Sequence, residues 1–270
     1  MRRSLMTAIP GLLKPRVSGV TPIVWLLRDE FLTDEAAPLT SPRTAEPGPG
    51  TLTLVQNDGQ MSISDGKLVF PAQTTPAWGD LGFYGSQIGR QAGRALFTNL
   101  HITTFDAVRV GFHPAAALNS SFNNVADAIF YVGANGAISV IEGSSQVLNA
   151  FSVALNTEYQ VSIALRAAGA FYFLKGGIYT DWTLVWVMAA GASTTIYPAL
   201  SNHAATGSLG HLRIRDLPTP FDTDYGIASV NQATPTSGTS YTATADAITD
   251  MEITLPESPS SGDRMELRYR

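Results

Sequence analysis

The stretch GAFYFLKGGIYTDWTLVWV, residues 169–187, is rich in aromatic and branched aliphatic side chains. Successive side chains of a β-strand point to opposite faces, so a strand here places Phe171 and Phe173 on one face. Tyr172 and Leu174 then lie on the other face, which is equally apolar. The pattern is typical of a central strand that is covered on both sides.

The second half of the stretch predicts a partner strand for the first. Trp182, Leu184 and Trp186 are expected to share one face of it. Lys175 and Asp181 interrupt the stretch, which excludes a membrane span of about 20 apolar residues. A sugar platform would show rings on one face with hydrogen-bonding groups around them. We therefore interpret the stretch as a core hairpin, with Trp182 at its rim as a candidate partner contact.

Short strand signals continue along the chain from Thr51 and are separated by Gly, Asn, Asp and Pro. They are TLTLVQ, MSI, KLVF, LGFYG, GRALFTNLHIT, DAVRVGF, DAIFYVG, AISVIEG, YQVSIALR, AFYFLKG, TLVWVMA, IYPALSN and GHLRIRDL. We expect the first three to form a small meander, and the turn GANG to join a hairpin. About a dozen such strands predict an all-β fold, a two-sheet antiparallel β-sandwich of the jelly-roll type.

The composition is typical of a β-rich structural or extracellular protein. Of 270 residues, 44% are hydrophobic and only 14% are charged, and there is no cysteine. The lack of cysteine excludes disulfides, thiolate metal sites and a cysteine nucleophile. The net charge of -5 gives no sign of nucleic-acid binding.

Charge and turn residues divide the chain into three parts. Residues 1–28 form a basic N-terminal arm, residues 29–218 the sandwich domain, and residues 219–270 a linker with the β-hairpin-like start of a second module. The arm holds five basic residues and no acid: Arg2, Arg3, Lys14, Arg16 and Arg28. This asymmetry predicts docking onto an acidic surface, either another copy or a partner subunit. A solvated tail explains the same residues equally well.

Residues 29–218 resemble the concanavalin A-like, laminin-G-like jelly-roll modules of minor structural and tail proteins of tailed phages. The resemblance is carried by DEF at 29–31, SDGKLVF at 64–70, YQVSIALR, GAFYFLKGG with WTLVWV, and YPALSN with LRIRDLP. It implies a non-catalytic sandwich that is used in assembly or in attachment to carbohydrate. It does not identify a ligand.

Catalytic patterns are missing from the sequence, so we expect no enzyme. Glycoside hydrolysis needs two carboxylates that face one substrate, and no expected strand alternates acids in that way. The acids of the N-terminal segment are interpreted as solvated: Asp29, Glu30, Asp34 and Glu35. There is no G-x-S-x-G elbow. The histidines are too scattered for zinc: His101, His113, His203 and His211.

Calcium is the one cofactor that the sequence leaves open, and we expect none. Oxygen donors occur in QNDGQ, SISDG and FDTDYG: Asn57, Asp58, Asp65, Asp222 and Asp224. None of these segments matches an ordered calcium loop. Asn-Asp-Gly and Asp-Gly are ordinary hairpin turns, which is the favoured interpretation.

A carbohydrate site needs an exposed ring beside amide or carboxylate groups. Trp78 and Tyr84 lie in the Gly-rich stretch TTPAWGDLGFYGSQ, which we expect to be exposed. Asn202 and His203 lie in SNHAATG, which we expect to be a polar loop. These four residues are the candidate ligand-binding set. The alternative is that Trp78 simply packs at an edge of the sandwich.

The leading hypothesis from these observations is a non-catalytic virion structural protein, a phage tail or minor structural component. It would act in assembly or adhesion, with other virion proteins or itself as a homo-oligomer, and host surface glycans as a further partner. The alternative is a carbohydrate-binding module of a bacterial secreted or cell-surface protein. A glycoside hydrolase is third, and neither nucleic acid nor membrane insertion is expected.

Overall fold

In the computed structural model, the described residues are 24–56, 60–91, 93–116, 118, 126–143, 145–165, 170–188, 194–216 and 241–242. These residues form 18 strands and no helix. The strands pair antiparallel in two sheets that enclose one hydrophobic core. The predicted all-β, two-sheet antiparallel sandwich is confirmed. No helix in the described part of the chain is long and apolar enough to cross a membrane.

The strands, in chain order, are β1 (Trp25–Asp29), β2 (Arg43–Thr44), β3 (Thr51–Gln56), β4 (Ser62–Ser64), β5 (Lys67–Phe70), β6 (Leu81–Gly85), β7 (Ile88–Gly89), β8 (Arg94–Thr104), β9 (Val108–His113), β10 (Ala126–Val132), β11 (Ala137–Gly143), β12 (Ser145–Ser152), β13 (Glu158–Leu165), β14 (Ala170–Gly176), β15 (Tyr179–Met188), β16 (Thr195–Asn202), β17 (Thr206–Asp216) and β18 (Tyr241–Thr242). Sheet A has the order β18-β15-β14-β13-β8-β17-β5-β4, and β1 also pairs with β17. Sheet B has the order β12-β11-β10-β9-β16-β6-β3-β2, and β7 also pairs with β16.

The core between the sheets follows from alternation along the strands. In β3, Leu52 and Leu54 are buried while Thr53 is half-buried. In β13, Val161 and Ile163 point into the same core. Each such side chain contributes about 1.5–3 kcal/mol when it leaves water. The strand positions predicted from alternation are therefore the ones that hold the sandwich together.

The hairpin of residues 169–187 is confirmed as a central element, with one correction. Tyr172 and Leu174 belong to the core, and Phe171 and Phe173 lie on the other face with ring centroids 6.2 Å apart. However, Trp186 pairs with Tyr172 whereas Leu184 pairs with Phe173, because β15 has an irregularity between these pairs. An extra residue in one strand reverses the alternation. Val185 is in the core and Trp186 packs against it, so the expected simple alternation along β15 is wrong.

The predicted meander of TLTLVQ, MSI and KLVF is wrong in its first step. β4 and β5 do form a hairpin, but β3 lies in the other sheet and pairs with β2 and β6. The chain therefore crosses between the sheets after β3. The Pro-rich connector between the N-terminal segment and β3 contains the short strand β2.

The expectation of solvated acids in the N-terminal segment is wrong for two of them. Asp29 is fully buried, and Arg43 Nε lies 3.1 Å from its Oδ2. Burial alone would raise the pKa of Glu30, but hydrogen bonds from Arg213 and Arg28 outweigh burial and lower that pKa to about 2. Asp34 is exposed, as expected, whereas Glu35 is half-buried. Asp29 and Glu30 thus anchor the segment to the sandwich.

The parts of the chain outside the sandwich are mostly beyond the described residues. Strand β1 begins at Trp25, four residues before the predicted boundary at Asp29, so Arg28 belongs to sheet A. The other basic residues of the arm lie outside the described residues: Arg2, Arg3, Lys14 and Arg16. At the other end, β18 pairs with β15 and extends sheet A.

Candidate functional site

Three connections between the sheets meet at one end of the sandwich. Residues 71–80 lead from β5 to β6, residues 105–107 from β8 to β9, and residues 203–205 from β16 to β17. The strand register brings them together, since Leu81 and Val108 both pair with Asn202. We call the residues 71–80, 105–107 and 203–205 the crossover end.

The crossover end has two aromatic residues: Phe105 packs against the core, and Trp78 is supported by a buried arginine. The guanidinium carbon of Arg109 lies 3.3 Å from the centroid of the indole ring, while Arg109 is only 2% exposed. A cation held against an indole face is attracted by the ring quadrupole, and more strongly where water is excluded. Trp78 itself is half-buried. The contact holds the indole of Trp78 against Arg109 of β9, and part of the indole stays exposed to solvent.

His203 and Asp106 complete the crossover end with polar groups. The His203 ring is tilted at 45° to the indole, with the centroids 5.3 Å apart. His203 Nδ1 lies 2.9 Å from Asp106 Oδ1, and the two side chains are 32% and 34% exposed. The backbone N–H of His203 donates to the carbonyl of Ala107 at 2.8 Å. An aromatic ring thus adjoins an imidazole and a carboxylate that solvent reaches.

The four predicted ligand-binding residues lie in different environments. Trp78 and His203 are brought together, as described above. Asn202 does not lie in a polar loop: it is the last residue of β16 and is fully buried. Its side-chain amide donates to the carbonyl of Ala205 at 2.7 Å. Tyr84 lies in β6 and packs in a separate cluster with Leu118.

Arg109 and Asp106 are the members of the site that sequence reasoning missed. Arg109 interrupts the apolar strand DAVRVGF, and this charge among buried positions was the available signal. Asp106 follows a strand end and looks like an ordinary turn residue. Its partner His203 is 97 residues away, so no local pattern connects them.

The middle of the outer face of sheet B is covered by the chain itself. Leu118 is buried against Ala199, and the carbonyl of Leu118 lies 3.5 Å from Ser201 Oγ. His113 is fully buried on this face, and its burial lowers the pKa of the imidazole. The middle of this face therefore holds buried groups beside two half-buried rings, Tyr84 and Tyr197.

The carboxylate pair of a glycoside hydrolase is not formed on the outer face of four central strands of sheet B. Within the described residues of β3, β6, β9 and β16, the outward positions carry no acid: Thr53, Val55, Gly82, Tyr84, Arg109, Gly111, His113, Tyr197, Ala199 and Ser201. Two carboxylates facing one substrate are the minimum for that chemistry. These strands supply none.

Calcium finds no support in the part of the chain that the structure describes. There, no group of three or more His, Cys, Asp or Glu side chains could hold a metal ion. Asp65 is an exposed turn residue between β4 and β5 with a φ of 52°. Its N–H donates to Asp34 Oδ1 at 3.0 Å. The other calcium candidates lie outside the described residues: Asn57, Asp58, Asp222 and Asp224.

Trp182, the candidate partner contact, lies within β15. Its side chain is outside what the structure describes. Its role stays a prediction, as does that of the basic arm.

Comparison with known proteins gives similarities of fold only. No family model matches the chain, and no curated protein matches it. The carbohydrate-binding module CBM66 from Bacillus subtilis is similar at 12% identity and a TM-score of 0.39, covering 66% of this chain and all of that chain. The VIP36 exoplasmic/lumenal domain in its Ca2+/Man3GlcNAc-bound form has 7% identity and a TM-score of 0.46, covering 70% and 92%.

LamAcat from Zobellia galactanivorans has 11% identity and a TM-score of 0.44, covering 71% of this chain and 97% of that chain. At such identities and TM-scores, none of these three similarities bears on what this chain binds. The resemblance to tailed-phage modules stays a prediction.

Proposed function

We propose that this chain is a non-catalytic carbohydrate-binding module and that it binds a sugar at the crossover end. Trp78 would stack on one face of the sugar ring, and the His203 and Asp106 side chains would bond to its hydroxyl groups. This corresponds to the extracellular or cell-surface alternative of the sequence analysis. The chemistry requires no metal and no cofactor.

The observation that carries the proposal is the combination of a supported indole with an exposed polar pair. A sugar has apolar C–H faces and a hydroxyl rim, so it needs a ring and hydrogen-bonding groups side by side. Trp78 contacts the His203 ring at 5.3 Å, and His203 contacts Asp106 at 2.9 Å. Because Arg109 fixes the indole from one side, little side-chain freedom would be lost on binding.

Binding is favoured over turnover because the Asp106–His203 pair beside Trp78 is not the pair of carboxyl groups that hydrolysis uses. The carboxylate of Asp106 is paired with an imidazole, not with a second carboxylate. The retaining and inverting mechanisms both use two carboxyl groups on opposite sides of the bond that breaks. The crossover end also contains Asp80; recognition is favoured by the contact between the Asp106–His203 pair and the indole.

The test is binding of the purified full chain to a panel of soluble and insoluble polysaccharides, followed by titration calorimetry on any glycan retained. Trp78→Ala should weaken binding at least about tenfold, since a stacked ring contributes about 0.5–1.5 kcal/mol beyond its buried area. His203→Ala should weaken it as well. Unchanged affinity in Trp78→Ala would exclude the proposed surface.

Trp25→Ala is the matched control. Trp25 is also a half-buried indole close to arginines, since the guanidinium groups of Arg28 and Arg215 lie 5.6 and 5.4 Å from its centroid. It belongs to sheet A, however, and not to the crossover end. We expect Trp25→Ala to bind the retained glycan like the wild type. Equal losses in both variants would indicate a general loss of folding.

A structural role in a tailed-phage virion is the rival proposal. It rests on the resemblance of residues 29–218 to modules of tailed-phage proteins, and the charge asymmetry between the basic arm and the acidic remainder of the chain suits assembly. In that case the chain would assemble with itself or with other virion proteins. The test compares the mass of the full chain in solution with the mass of a variant in which four arm residues are replaced by Gln: Arg2, Arg3, Lys14 and Arg16.

A further inference from the structure

Gln73 belongs to the crossover end and is only 5% exposed. Its side-chain nitrogen, Nε2, donates to two backbone carbonyls, that of Ala77 at 3.3 Å and that of Asn202 at 2.5 Å. Ala77 directly precedes Trp78, and Asn202 directly precedes His203. One amide group therefore contacts the backbone immediately before each of the two rings of the site.

These contacts constrain the rings because a peptide unit is planar. The carbonyl of Ala77 and the N–H of Trp78 belong to one rigid plane, so a bond to that oxygen also limits where the Trp78 backbone lies. The same holds for the carbonyl of Asn202 and the backbone of His203. Since both N–H groups of Gln73 are on one nitrogen, the two planes are held at a set separation.

A second buried amide ties together the same two connections. Asn202 Nδ2 donates to the carbonyls of Ala205 at 2.7 Å and Pro71 at 3.4 Å. Pro71 begins the connection that carries Trp78, and Ala205 ends the one that carries His203. Gln73 lies in the first connection and Asn202 lies at the end of β16, and their side chains thus cross-link the two connections.

Within the part of the chain that the structure describes, both amides use only their donor halves. Gln73 Oε1 and Asn202 Oδ1 are buried and accept no hydrogen bond from the described residues. A buried acceptor without a protein donor lowers stability, so an apolar side chain would be expected here if packing were the only requirement. The donors, which set the positions of the two rings, are the part of each amide that the structure uses.

We propose that Gln73 is a positioning residue of the sugar-binding surface, which sets the separation of Trp78 and His203. This inference rests on the proposed function, because the sugar is its ligand, whereas the contacts of Gln73 do not depend on that function. Gln73 does not contact the sugar. It holds the rings in the arrangement that binds, so that binding does not have to order them.

The first test measures the ring positions without any glycan. Gln73→Met keeps the length and neutral charge of the side chain but removes both N–H donors. The full chain is labelled with 5-fluorotryptophan, and the Trp78 signal is identified by its loss in Trp78→Phe. In folded Gln73→Met, the Trp78 fluorine signal should shift and broaden, while the other tryptophan signals stay in place.

The matched control is Gln87→Met, in which an exposed glutamine between β6 and β7 receives the same change. It should leave all fluorine signals unchanged. A merely structural role for Gln73 would lower the melting temperature without moving the Trp78 signal, and that result would overturn the proposal.

If Gln73→Met does not fold, NMR measurement of backbone relaxation in the wild type tests the proposal instead. The Trp78 and His203 amides should have order parameters near those of rigid strands, about 0.85. Values below about 0.6, which are typical of flexible loops, would contradict the proposal.

The second test uses a glycan retained by the wild type. Gln73→Met should bind it about tenfold more weakly at a temperature where the variant is fully folded. If the wild type retains no glycan, the proposed function fails while the fluorine result still tests the positioning role. Wild-type affinity in Gln73→Met, together with a displaced Trp78 signal, would show that this separation does not matter for binding and would overturn the inference.

Discussion

Replacement of Arg43 by Met should remove a large part of the stability of the fold. Arg43 Nε lies 3.1 Å from Asp29 Oδ2, and the two side chains are 6% and 0% exposed. The same guanidinium contacts Glu46 at 3.3 Å and Glu35 at 3.5 Å. The variant would leave the carboxylate of Asp29 buried without its cation. Breaking a buried pair in this way costs about 3–5 kcal/mol, against total stabilities of about 5–15 kcal/mol.

The assay is reversible thermal or urea unfolding, followed by circular dichroism. A loss of about 3 kcal/mol corresponds to a decrease of about 6–12 °C in melting temperature for a domain of this size. Lys67→Met is the matched control, because the Lys67–Glu158 pair is 40% and 45% exposed. Such surface pairs contribute about 0–1 kcal/mol.

A double variant tests the reasoning itself. Asp29→Asn removes the buried charge, so Asp29→Asn with Arg43→Met should be more stable than Arg43→Met alone. If Arg43→Met costs less than about 1 kcal/mol, or if the double variant is the less stable of the two, the buried charge is not the reason for the effect.

Two further predictions concern pH and backbone space. The pKa of Glu30 is lowered in the fold from 4.5 to about 2, so its pairing with Arg213 contributes stability that is present above pH 4.5 and is lost as the pH falls toward 2. This contribution is at most about 3 kcal/mol, and Glu30→Gln should flatten the stability profile measured between pH 2 and 5. Gly82→Ala should destabilise the fold by about 1–3 kcal/mol or more, because the added Cβ would collide with the carbonyl of Leu200. Gly66→Ala is the control, because a Cβ there meets no atom within 4 Å although φ is +70°. It should cost only the backbone strain of about 1–2 kcal/mol. Equal losses of unfolding free energy in the two variants, measured by urea unfolding, would contradict the collision at Gly82.

Much of the fold could be predicted because its signals are local. The alternation of side chains and the turn residues identify the strands and the β10–β11 and β14–β15 hairpins. The irregularity between Leu184 and Trp186 could not be predicted, because a bulge depends on how the neighbouring strand packs. The separation of β3 and β4 into different sheets is also a long-range outcome. An Asn-Asp-Gly segment permits a turn but does not determine which strands pair.

The candidate site could be predicted in part. Trp78 and His203 were selected because a ring and a polar side chain lay in stretches that looked exposed. Asn202 was wrongly expected in a loop, since the sequence SNHAATG does not show where β16 ends. Arg109 and Asp106 could not be connected with Trp78, because their contacts join strands and connections that are far apart in the chain.

The sequence by itself determined that this is an all-β sandwich, because side-chain period and turn chemistry act between residues that are close along the chain. It also indicated that β14 and β15 form a hairpin of the core. Only the tertiary structure decided which strands share a sheet and therefore which connections meet at one end. The candidate site lies there because antiparallel order brings Trp78, Asp106 and His203 together from three connections between the sheets, and such convergence depends on the packing of the whole sandwich.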